Sequence, residues 1–175
     1  TMHINLTQRT GFRQQGFTLL EMIICLSIVV IILSIGMHAW QDMIPRYQIR
    51  TAAANIHNLI QKARSDAISD GNQMICDGQR GCSSFGKTRL LWMGHDRNQD
   101  GKLSASEIKE YYQLPTGANL VWKRFRGNHL KFYNRGISRF QNGSFYICNH
   151  KAARRIVMNW IGRSRVETAA PDDCL

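Results

Sequence analysis

The sequence is 175 residues long and strongly basic, since 23 Lys and Arg residues against 12 Asp and Glu residues give a formal net charge of +11. Once the N-terminal segments described below are set aside, this length leaves enough residues for one small domain. The sequence contains no internal repeat and no low-complexity tract, which excludes a repeat protein. A large excess of positive charge favours anionic partners.

The N-terminal 40 residues combine a basic leader with a long apolar run. Residues 1–16 carry Arg9 and Arg13, contain no acidic residue and have no apolar stretch of their own, so they do not form an ordinary secretory signal. Residues 22–40 contain no Asp, Glu, Lys or Arg, and about 20 such residues in a helix cross a bilayer. The sequence therefore predicts a leader at 1–16 and a single transmembrane helix at 17–41, with its N-terminus in the cytoplasm and the rest of the chain outside.

The junction between the leader and the apolar run carries a motif. Its residues, Gly16-Phe17-Thr18-Leu19-Leu20-Glu21, resemble the type IV prepilin cleavage motif. The resemblance implies cleavage between Gly16 and Phe17 by a prepilin peptidase of the inner membrane, followed by N-methylation of Phe17. It also implies that Glu21, a carboxylate that is costly at the edge of a membrane span, pairs with the N-terminal amine of a neighbouring pilin during assembly. A solvated Glu21 at the membrane surface is the alternative.

Beyond the apolar run, the sequence keeps a helical period. Six apolar residues recur every three or four positions: Ile49, Ala53, Ile56, Ile60, Ala63 and Ala67. This stripe predicts an amphipathic continuation of the helix at 42–70, which Asp70 and Gly71 end. Pro45 is expected to kink or interrupt this helix.

Residues 71–175 are rich in Gly and Asn and contain short runs of β-forming residues. Seven strands are predicted, at Gln73–Cys76, Thr88–Met93, Ile108–Leu114, Leu120–Phe125, Leu130–Tyr133, Ser144–Cys148 and Arg155–Ile161. Trp160 in the last of them is expected to be a core or half-buried residue of the strand, and stacking against a base or a sugar is the alternative. The fold class is therefore α+β, with a long N-terminal helix packed on an antiparallel sheet in a β-rich extracytoplasmic domain. The leader motif implies that this is the type IV pilin fold.

Four cysteines lie in the predicted extracytoplasmic domain, as the local pairs Cys76 with Cys82 and Cys148 with Cys174. Four cysteines allow three disulfide connectivities, and the sequence does not distinguish them. We favour local pairing. A metal site of four thiolates is the alternative, but it requires pairs spaced more closely than either of these.

The positive charge is concentrated in the C-terminal half, because residues 111–166 contain no Asp or Glu. Eleven basic residues lie in this window: Lys123, Arg124, Arg126, Lys131, Arg135, Arg139, Lys151, Arg154, Arg155, Arg163 and Arg165. Protein surfaces normally intersperse both signs of charge, so a polyanionic partner is the simplest explanation. Acidic neighbouring subunits and anionic lipid headgroups are the alternatives.

A short arginine motif, Gly162-Arg163-Ser164-Arg165, lies at the end of this window. In an extended chain Arg163 and Arg165 project from the same face about 7 Å apart, which matches successive phosphates of a nucleic acid. Gly162 allows the backbone to turn or to approach a ligand closely. Three further basic residues are expected to assist, namely Lys151, Arg154 and Arg155. No recognition helix is evident, so DNA binding is expected to be independent of sequence and sensitive to salt.

The leader, the helix, the β-rich domain, Phe132-Tyr133-Asn134-Arg135-Gly136, Cys148 and the Gly-Arg-x-Arg motif together resemble the GspH/FimT family of minor pilins and pseudopilins. FimT-like members bind DNA through a C-terminal Gly-Arg-x-Arg, which Gly162, Arg163 and Arg165 match. The resemblance implies a minor pilin that binds extracellular DNA for uptake in natural transformation, with DNA and other pilins as partners. FimU-like members prime the pilus and GspH-like members serve type II secretion, so a structural subunit without DNA binding is the alternative.

Residues 96–107 match the calcium loop of an EF-hand, in which oxygens of Asp96, Asn98, Asp100 and Glu107 surround the ion. An EF-hand requires a helix on each side, whereas the flanking sequences here are typical of strands. A β-turn without metal is therefore favoured, with calcium as the lesser alternative, and no other cofactor is expected.

Residues Gly81–Thr88 match the P-loop pattern of nucleotide-binding proteins. That site needs a helix after the loop, so that the helix N-terminus faces the phosphates, but the residues after Thr88 predict a strand. The sequence also lacks the H-E-x-x-H and G-x-S-x-G motifs of hydrolases. We therefore expect a protein that is not an enzyme.

Overall fold

The computed structural model describes residues 17–174, except for the side chains of residues 35–39. The predicted leader, including Gly16, lies outside the described residues. The chain divides into two compact units, Thr1–Trp40 and Gln41–Leu175. In the first unit the described residues are helical from Leu19 onward, and their large apolar side chains, such as Leu20, Ile23 and Val30, are exposed. Within residues 17–174, no helix combines the length and the apolar character that crossing a membrane requires.

Helix α1 extends from Leu19 to Ser69. All six residues of the predicted stripe from Ile49 to Ala67 are at most 1% exposed. Periodic burial of this kind is the main source of stability for such a helix, because its isolated hydrogen-bonded turns are only marginally stable in water. The helix ends where Gly71 adopts a left-handed φ of +88°, a conformation that glycine accepts without steric cost.

The predicted interruption at Pro45 does not occur, because α1 continues through this residue. Proline has no backbone N–H and therefore removes one hydrogen bond of the helix. The carbonyl of Pro45 accepts a hydrogen bond from Asn149 Nδ2 at 2.9 Å. This contact from the β-rich part of the chain helps to hold the turn of α1 that contains the proline.

Eight strands follow α1: β1 Gln73–Asp77, β2 Leu90–Gly94, β3 Ile108–Gln113, β4 Asn119–Lys123, β5 His129–Phe132, β6 Gly143–Cys148, β7 Ala153–Met158 and β8 Ser164–Ala169. They form two antiparallel four-stranded sheets, with strand orders β3-β2-β1-β5 and β4-β6-β7-β8. Thr88 and Leu120 exchange two backbone hydrogen bonds of 2.9 Å, which join the segment before β2 to β4. This arrangement confirms the α+β fold class.

One buried cluster joins the helix to both sheets. Ile56 and Ile60 of α1 lie in it together with Ile75 and Phe132 of the first sheet and Phe145 of the second, and each of these side chains is at most 1% exposed. Burying side chains of this size contributes about 1.5–3 kcal/mol each. The cluster therefore fixes both sheets against the part of α1 that follows Gln41.

The seven predicted strands correspond to β1–β7, but the last prediction was too long. The predicted strand Arg155–Ile161 ends at Met158, and an additional strand, β8, begins at Ser164. The chain turns between them because Asn159 closes the loop: its carbonyl accepts from Gly162 N, and its Oδ1 accepts from Arg163 N, both at 2.9 Å. An asparagine side chain that bonds nearby backbone in this way competes with an extended chain.

The four cysteines of the β-rich domain form two disulfides in the local pairing that we favoured. Cys76–Cys82 links the end of β1 to the loop that follows it, with a Cα–Cα distance of 5.0 Å. Cys148–Cys174 links the end of β6 to the C-terminal tail, with a Cα–Cα distance of 6.2 Å. The second disulfide therefore fastens the segment that immediately follows β8.

Candidate nucleic-acid interface

The Gly-Arg-x-Arg motif lies at the turn between β7 and β8. We call residues 159–165 the arginine turn. Gly162 in this turn has a φ of +79°, and a Cβ atom added there would lie 2.5 Å from the carbonyl oxygen of Gly136. Glycine is thus required twice, once for the left-handed backbone and once for the close approach of the neighbouring loop.

The loop between β5 and β6, residues 133–142, packs beside the arginine turn. The buried Ser138 donates its backbone N–H to the carbonyl of Trp160 at 3.1 Å. Arg64 of α1 donates its Nε–H to the carbonyl of Gly136 at 3.0 Å. The structure therefore brings together the two segments that carried the family resemblance, Phe132–Gly136 and Gly162–Arg165.

Arg163 and Arg165 are both exposed and both line a depression of ≈ 300 Å³ together with Val157, Asn159 and Ser164. Among the residues that the structure describes, none forms a hydrogen bond or ion pair with the guanidinium of Arg163. The Arg165 side chain is 74% exposed and pairs with Glu167. An exposed guanidinium beside a depression of this kind is suited to a bidentate contact with phosphate.

Glu167 is a charged neighbour of these arginines that the sequence analysis did not include. Arg155 and Glu167 are direct partners across β7 and β8, and the Glu167 carboxylate pairs with both Arg155 and Arg165. These two pairs, Arg155 first and Arg165 second, lower the pKa of Glu167. Hydrogen bonds with Tyr146 and then Glu167 raise the pKa of Arg155. The signal in the sequence was the two-residue spacing from Arg165, which places Glu167 on the same face of a strand.

The structure does not place all of the predicted site residues together. Arg154 faces the opposite side of the sheet from Arg155, in register with Ile147 and Thr168, and lines a separate groove with Arg46 of α1. Lys151 lies beyond the other end of β7 and pairs with Asp42 at 2.9 Å. Arg163, Arg165 and Arg155 therefore share one face, whereas Arg154 and Lys151 lie elsewhere.

Other basic and aromatic residues border the arginine turn. Arg135 and Arg139 are exposed in the 133–142 loop, and the Arg139 guanidinium lies 4.8 Å from the centre of the Tyr133 ring. Trp160 is 55% exposed, so the expectation that it is half-buried in a strand was wrong. Trp160 occupies the turn rather than β7, which leaves its ring without a sheet neighbour to cover it.

The Asp96–Glu107 loop connects β2 and β3, so strands flank it rather than helices. Its acidic groups bond within the loop: Asp96 accepts the N–H groups of Asp100 and Gly101 at 3.1 Å each, and Asn98 Nδ2 donates to Asp100 at 3.0 Å. Across residues 17–174, no group of three or more His, Cys, Asp or Glu residues is arranged to hold a metal ion. Calcium binding here was the less favoured alternative, and it stays untested.

The P-loop match lies in a loop of a different kind. Gly81 and Cys82 have left-handed φ values of 54° and 63°, Cys82 is in a disulfide, and the strand β2 follows Thr88. The loop is therefore followed by a strand and not by the helix whose N-terminus would face the phosphates in a P-loop.

The residues of the predicted processing motif that the structure describes lie at the start of α1. Phe17 is 75% exposed and precedes the helix, and Glu21 lies in the first helical turn. The backbone N–H of Glu21 donates to Thr18 Oγ1 at 3.3 Å, which satisfies one of the free donors of the helix N-terminus.

Comparison with known proteins identifies the class to which this fold belongs. Two crystal structures of the type IV minor pilin FimU from Pseudomonas aeruginosa match with TM-scores of 0.57 and 0.56 and identities of 20% and 21%. They cover 74% and 72% of this chain and 96% and 99% of the FimU chains. The minor pseudopilin EpsH from the Type 2 Secretion System of Vibrio cholerae matches with a TM-score of 0.52 and 13% identity, over 69% of this chain and 97% of EpsH. At these identities the similarity shows a shared pilin fold. The search of curated proteins found no match.

The family follows from the sequence itself. Residues 11–37 match the prokaryotic N-terminal methylation motif, and residues 52–162 match the family described as Type II transport protein GspH. The chain belongs to the GspH family and is a minor pilin or pseudopilin of the GspH/FimT type. Its relatives are structural subunits and not enzymes. The methylation motif and the family together imply a membrane-anchored precursor that assembles with other pilins into a surface pilus.

Proposed function

We propose that this minor pilin binds extracellular DNA without sequence preference, through the arginine turn, for uptake in natural transformation. The observation that carries the proposal is the exposed guanidinium of Arg163, which no described residue pairs, beside the exposed Arg165 and at the end of a sequence window without acidic residues. Backbone hydrogen bonds from Gly162 to Asn159 and from Ser138 to Trp160 restrain this turn, and a restrained site has a lower entropy cost of binding.

The same proposal includes the processing and anchoring steps. A prepilin peptidase of the inner membrane would cleave before Phe17 and the new N-terminus would be methylated. The apolar residues 17–41 would form a single membrane span, and Glu21 would pair with the N-terminal amine of another pilin. The match to the methylation motif over residues 11–37 supports these steps.

The alternative is a structural subunit that primes a type IV pilus or serves a type II secretion system. The description of the matched family as a type II transport protein supports it, as do the structural matches to FimU and EpsH. In that case acidic surfaces of neighbouring subunits would meet the arginine turn instead of DNA.

DNA affinity measured at two salt concentrations distinguishes these functions. The full chain in a neutral detergent is titrated into a fluorescent DNA duplex at about 50 mM and about 200 mM salt. The double variant Arg163→Ala/Arg165→Ala is expected to lose about tenfold or more in affinity, and its salt dependence should fall by about two units of slope, because two phosphate contacts are lost.

The matched control is Arg50→Ala/Arg97→Ala, which removes the same charge from two exposed arginines on α1 and on the β2–β3 loop. Equal losses in both double variants would assign the binding to overall charge and reject the arginine turn as the site. Absence of DNA binding by the wild-type chain at low salt would reject the DNA function and favour the structural alternative.

Glu167→Gln tests the same site with a variant that is expected to raise the affinity for DNA instead of lowering it. The substitution removes the carboxylate that Arg155 and Arg165 share, so we expect DNA affinity to rise about twofold to fivefold as one repulsive charge leaves the surface. Asp172→Asn makes the same change of charge at an exposed position in the C-terminal tail, and its effect should be smaller. A decrease in affinity with Glu167→Gln would indicate that the carboxylate is needed to orient the arginines.

A further inference from the structure

Two aromatic side chains beside the arginine turn are exposed without a role in the fold. Trp160 is 55% exposed within the turn, and Phe140 is 85% exposed in the adjoining 133–142 loop. Large aromatic side chains are normally well buried on average, because their apolar area is the main gain of folding. Both rings therefore present apolar faces to solvent next to a concentration of guanidinium groups.

Phe140 also has an unusual backbone. Its φ is +58°, in the left-handed region that residues with a Cβ atom seldom adopt. A phenylalanine in this conformation costs conformational free energy, and with 85% of the residue exposed little burial of the ring offsets that cost. Such a residue is a candidate for function rather than for stability.

Hydrogen bonds fix the backbone around both rings. The Ser138 Oγ–H lies within 3.3 Å of the Asn159 carbonyl and 3.4 Å of the Trp160 carbonyl, and its backbone N–H also donates to Trp160. On the other side of Phe140, Gln141 accepts from Lys131 N at 2.8 Å and donates to the His129 carbonyl at 2.7 Å. Hydrogen bonds thus join the 133–142 loop, which carries Phe140, to the arginine turn, which carries Trp160, and to strand β5.

From this arrangement we propose that the arginine turn takes single-stranded nucleic acid in preference to duplex, with Trp160 and Phe140 stacking on unpaired bases. The inference rests on the proposed DNA function and adds the form of DNA that is bound. Guanidinium groups contact the phosphates of single strands and of duplexes alike. Aromatic rings stack only on bases whose faces are free, and stacking of this kind does not depend on base identity.

The experiment separates stacking from phosphate contact by removing the bases. The full chain in neutral detergent is titrated into three fluorescent ligands with equal numbers of phosphates: an oligothymidine strand, an abasic sugar–phosphate strand and a DNA duplex. The wild-type chain should bind oligothymidine more tightly than the duplex, and at least about fivefold more tightly than the abasic strand, which is the effect of one stacked base. Trp160→Ala/Phe140→Ala should remove this difference and leave the affinity for the abasic strand and the duplex unchanged.

Two variants control for folding and for general loss of aromatic surface. Trp160→Phe keeps a ring in the turn and should retain the preference for oligothymidine. Tyr111→Ala removes a ring that is 68% exposed on β3 and should bind all three ligands as the wild type does.

Other results would overturn the stacking proposal alone or both proposals. The stacking proposal is overturned if the wild-type chain binds oligothymidine no more tightly than the abasic strand, or no more tightly than the duplex. Continued dependence on Arg163 and Arg165 would then leave the DNA function intact. Equal weakening of all three ligands by Trp160→Ala/Phe140→Ala also overturns the stacking proposal, because the rings would then act through the fold. If no ligand binds at low salt, both proposals fail.

Discussion

Glu107 shows how a single carboxylate organises a loop that resembles a calcium site. Its oxygens accept four hydrogen bonds, from Ser104 N at 2.9 Å, Ser104 Oγ at 2.7 Å, Arg97 N at 2.9 Å and Asn98 N at 3.4 Å. The hydrogen bonds from Ser104, followed by those from the backbone of Arg97 and Asn98, lower the pKa of Glu107 from 4.5 to about 2. The charged carboxylate therefore joins the start of the loop, at Arg97 and Asn98, to Ser104 near its end.

This pKa predicts how Glu107→Gln affects stability. A lowered folded-state pKa stabilises the fold above the ordinary value of 4.5, and that stabilisation is lost as pH falls through the folded value of about 2. We expect Glu107→Gln to lower the thermal midpoint by about 5 °C at pH 7. The difference from the wild type should shrink between pH 4.5 and pH 2.

Thermal unfolding followed by near-ultraviolet circular dichroism at several pH values measures this effect. Glu110→Gln is the control, because Glu110 forms an exposed pair with Lys62, and such pairs contribute little. The same melts with calcium and with a chelator test the metal directly: a calcium-dependent rise of the wild-type midpoint that is absent in Glu107→Gln would reinstate the calcium interpretation. A pH-independent deficit in Glu107→Gln would contradict the assigned pKa.

At the scale of structural elements, the turn between β7 and β8 depends on contact with another loop. Gly162 has a left-handed φ of +79°, and a Cβ atom added to it would lie only 2.5 Å from the carbonyl oxygen of Gly136. That carbonyl also accepts the Nε–H of Arg64 from α1. The helix, the 133–142 loop and the arginine turn therefore meet at one point, and the direction of Arg163 depends on all three.

Gly162→Ala is expected to distort the turn more than its backbone conformation alone would cause. Gly117 is a matched control, because its φ of +81° is nearly the same and nothing lies within 4 Å of an added Cβ. Gly117→Ala should cost about 1 kcal/mol, the penalty of a left-handed alanine. Gly162→Ala should cost about 2 kcal/mol more, because a Cβ overlapping a backbone carbonyl forces the loops apart.

Denaturant unfolding of both variants measures the difference, and DNA titration then reports on the site. If Gly162→Ala costs no more than Gly117→Ala, the two loops are not packed as described. Loss of DNA affinity in Gly162→Ala but not in Gly117→Ala would link the geometry of the turn to binding.

At the scale of the whole molecule, the two disulfides fit a domain that functions outside the cytoplasm, where thiols are oxidised. The Cys148–Cys174 bond closes a loop with a sequence separation of 26 residues that includes β7 and β8. Cross-linking a loop of that length restricts the unfolded chain and stabilises the folded state by about 3.5 kcal/mol. This bond therefore supports the edge strand that carries Arg165.

We expect Cys148→Ala/Cys174→Ala to destabilise the domain by about 3.5 kcal/mol in oxidising buffer and by much less in reducing buffer, where the wild type also lacks the bond. Denaturant unfolding in both buffers tests this. Equal losses in the two buffers would show that the packing of the sulfur atoms, and not the cross-link, is responsible.

Much of the fold was predictable because its signals are local in sequence. The stripe from Ile49 to Ala67 repeats with the period of a helix, and each of the first seven strands is a short run of β-forming residues between turn residues. The Gly16–Glu21 motif and the cysteine spacings are likewise short patterns. They indicated the pilin class, and they favoured the local disulfide pairs without excluding the other connectivities.

The sequence by itself therefore determined the helix face, most of the strands, the pilin family and the location of the positive charge. The tertiary structure decided which of those charges act together. Arg154 and Arg155 are neighbours in sequence but face opposite sides of a pleated strand, and Glu167 pairs with two of the predicted arginines across β7 and β8. Trp160 is exposed, and Gly162 packs against the carbonyl of Gly136, at the place where two loops distant in sequence meet. Contacts of that kind depend on how the whole chain packs, and no local periodicity encodes them.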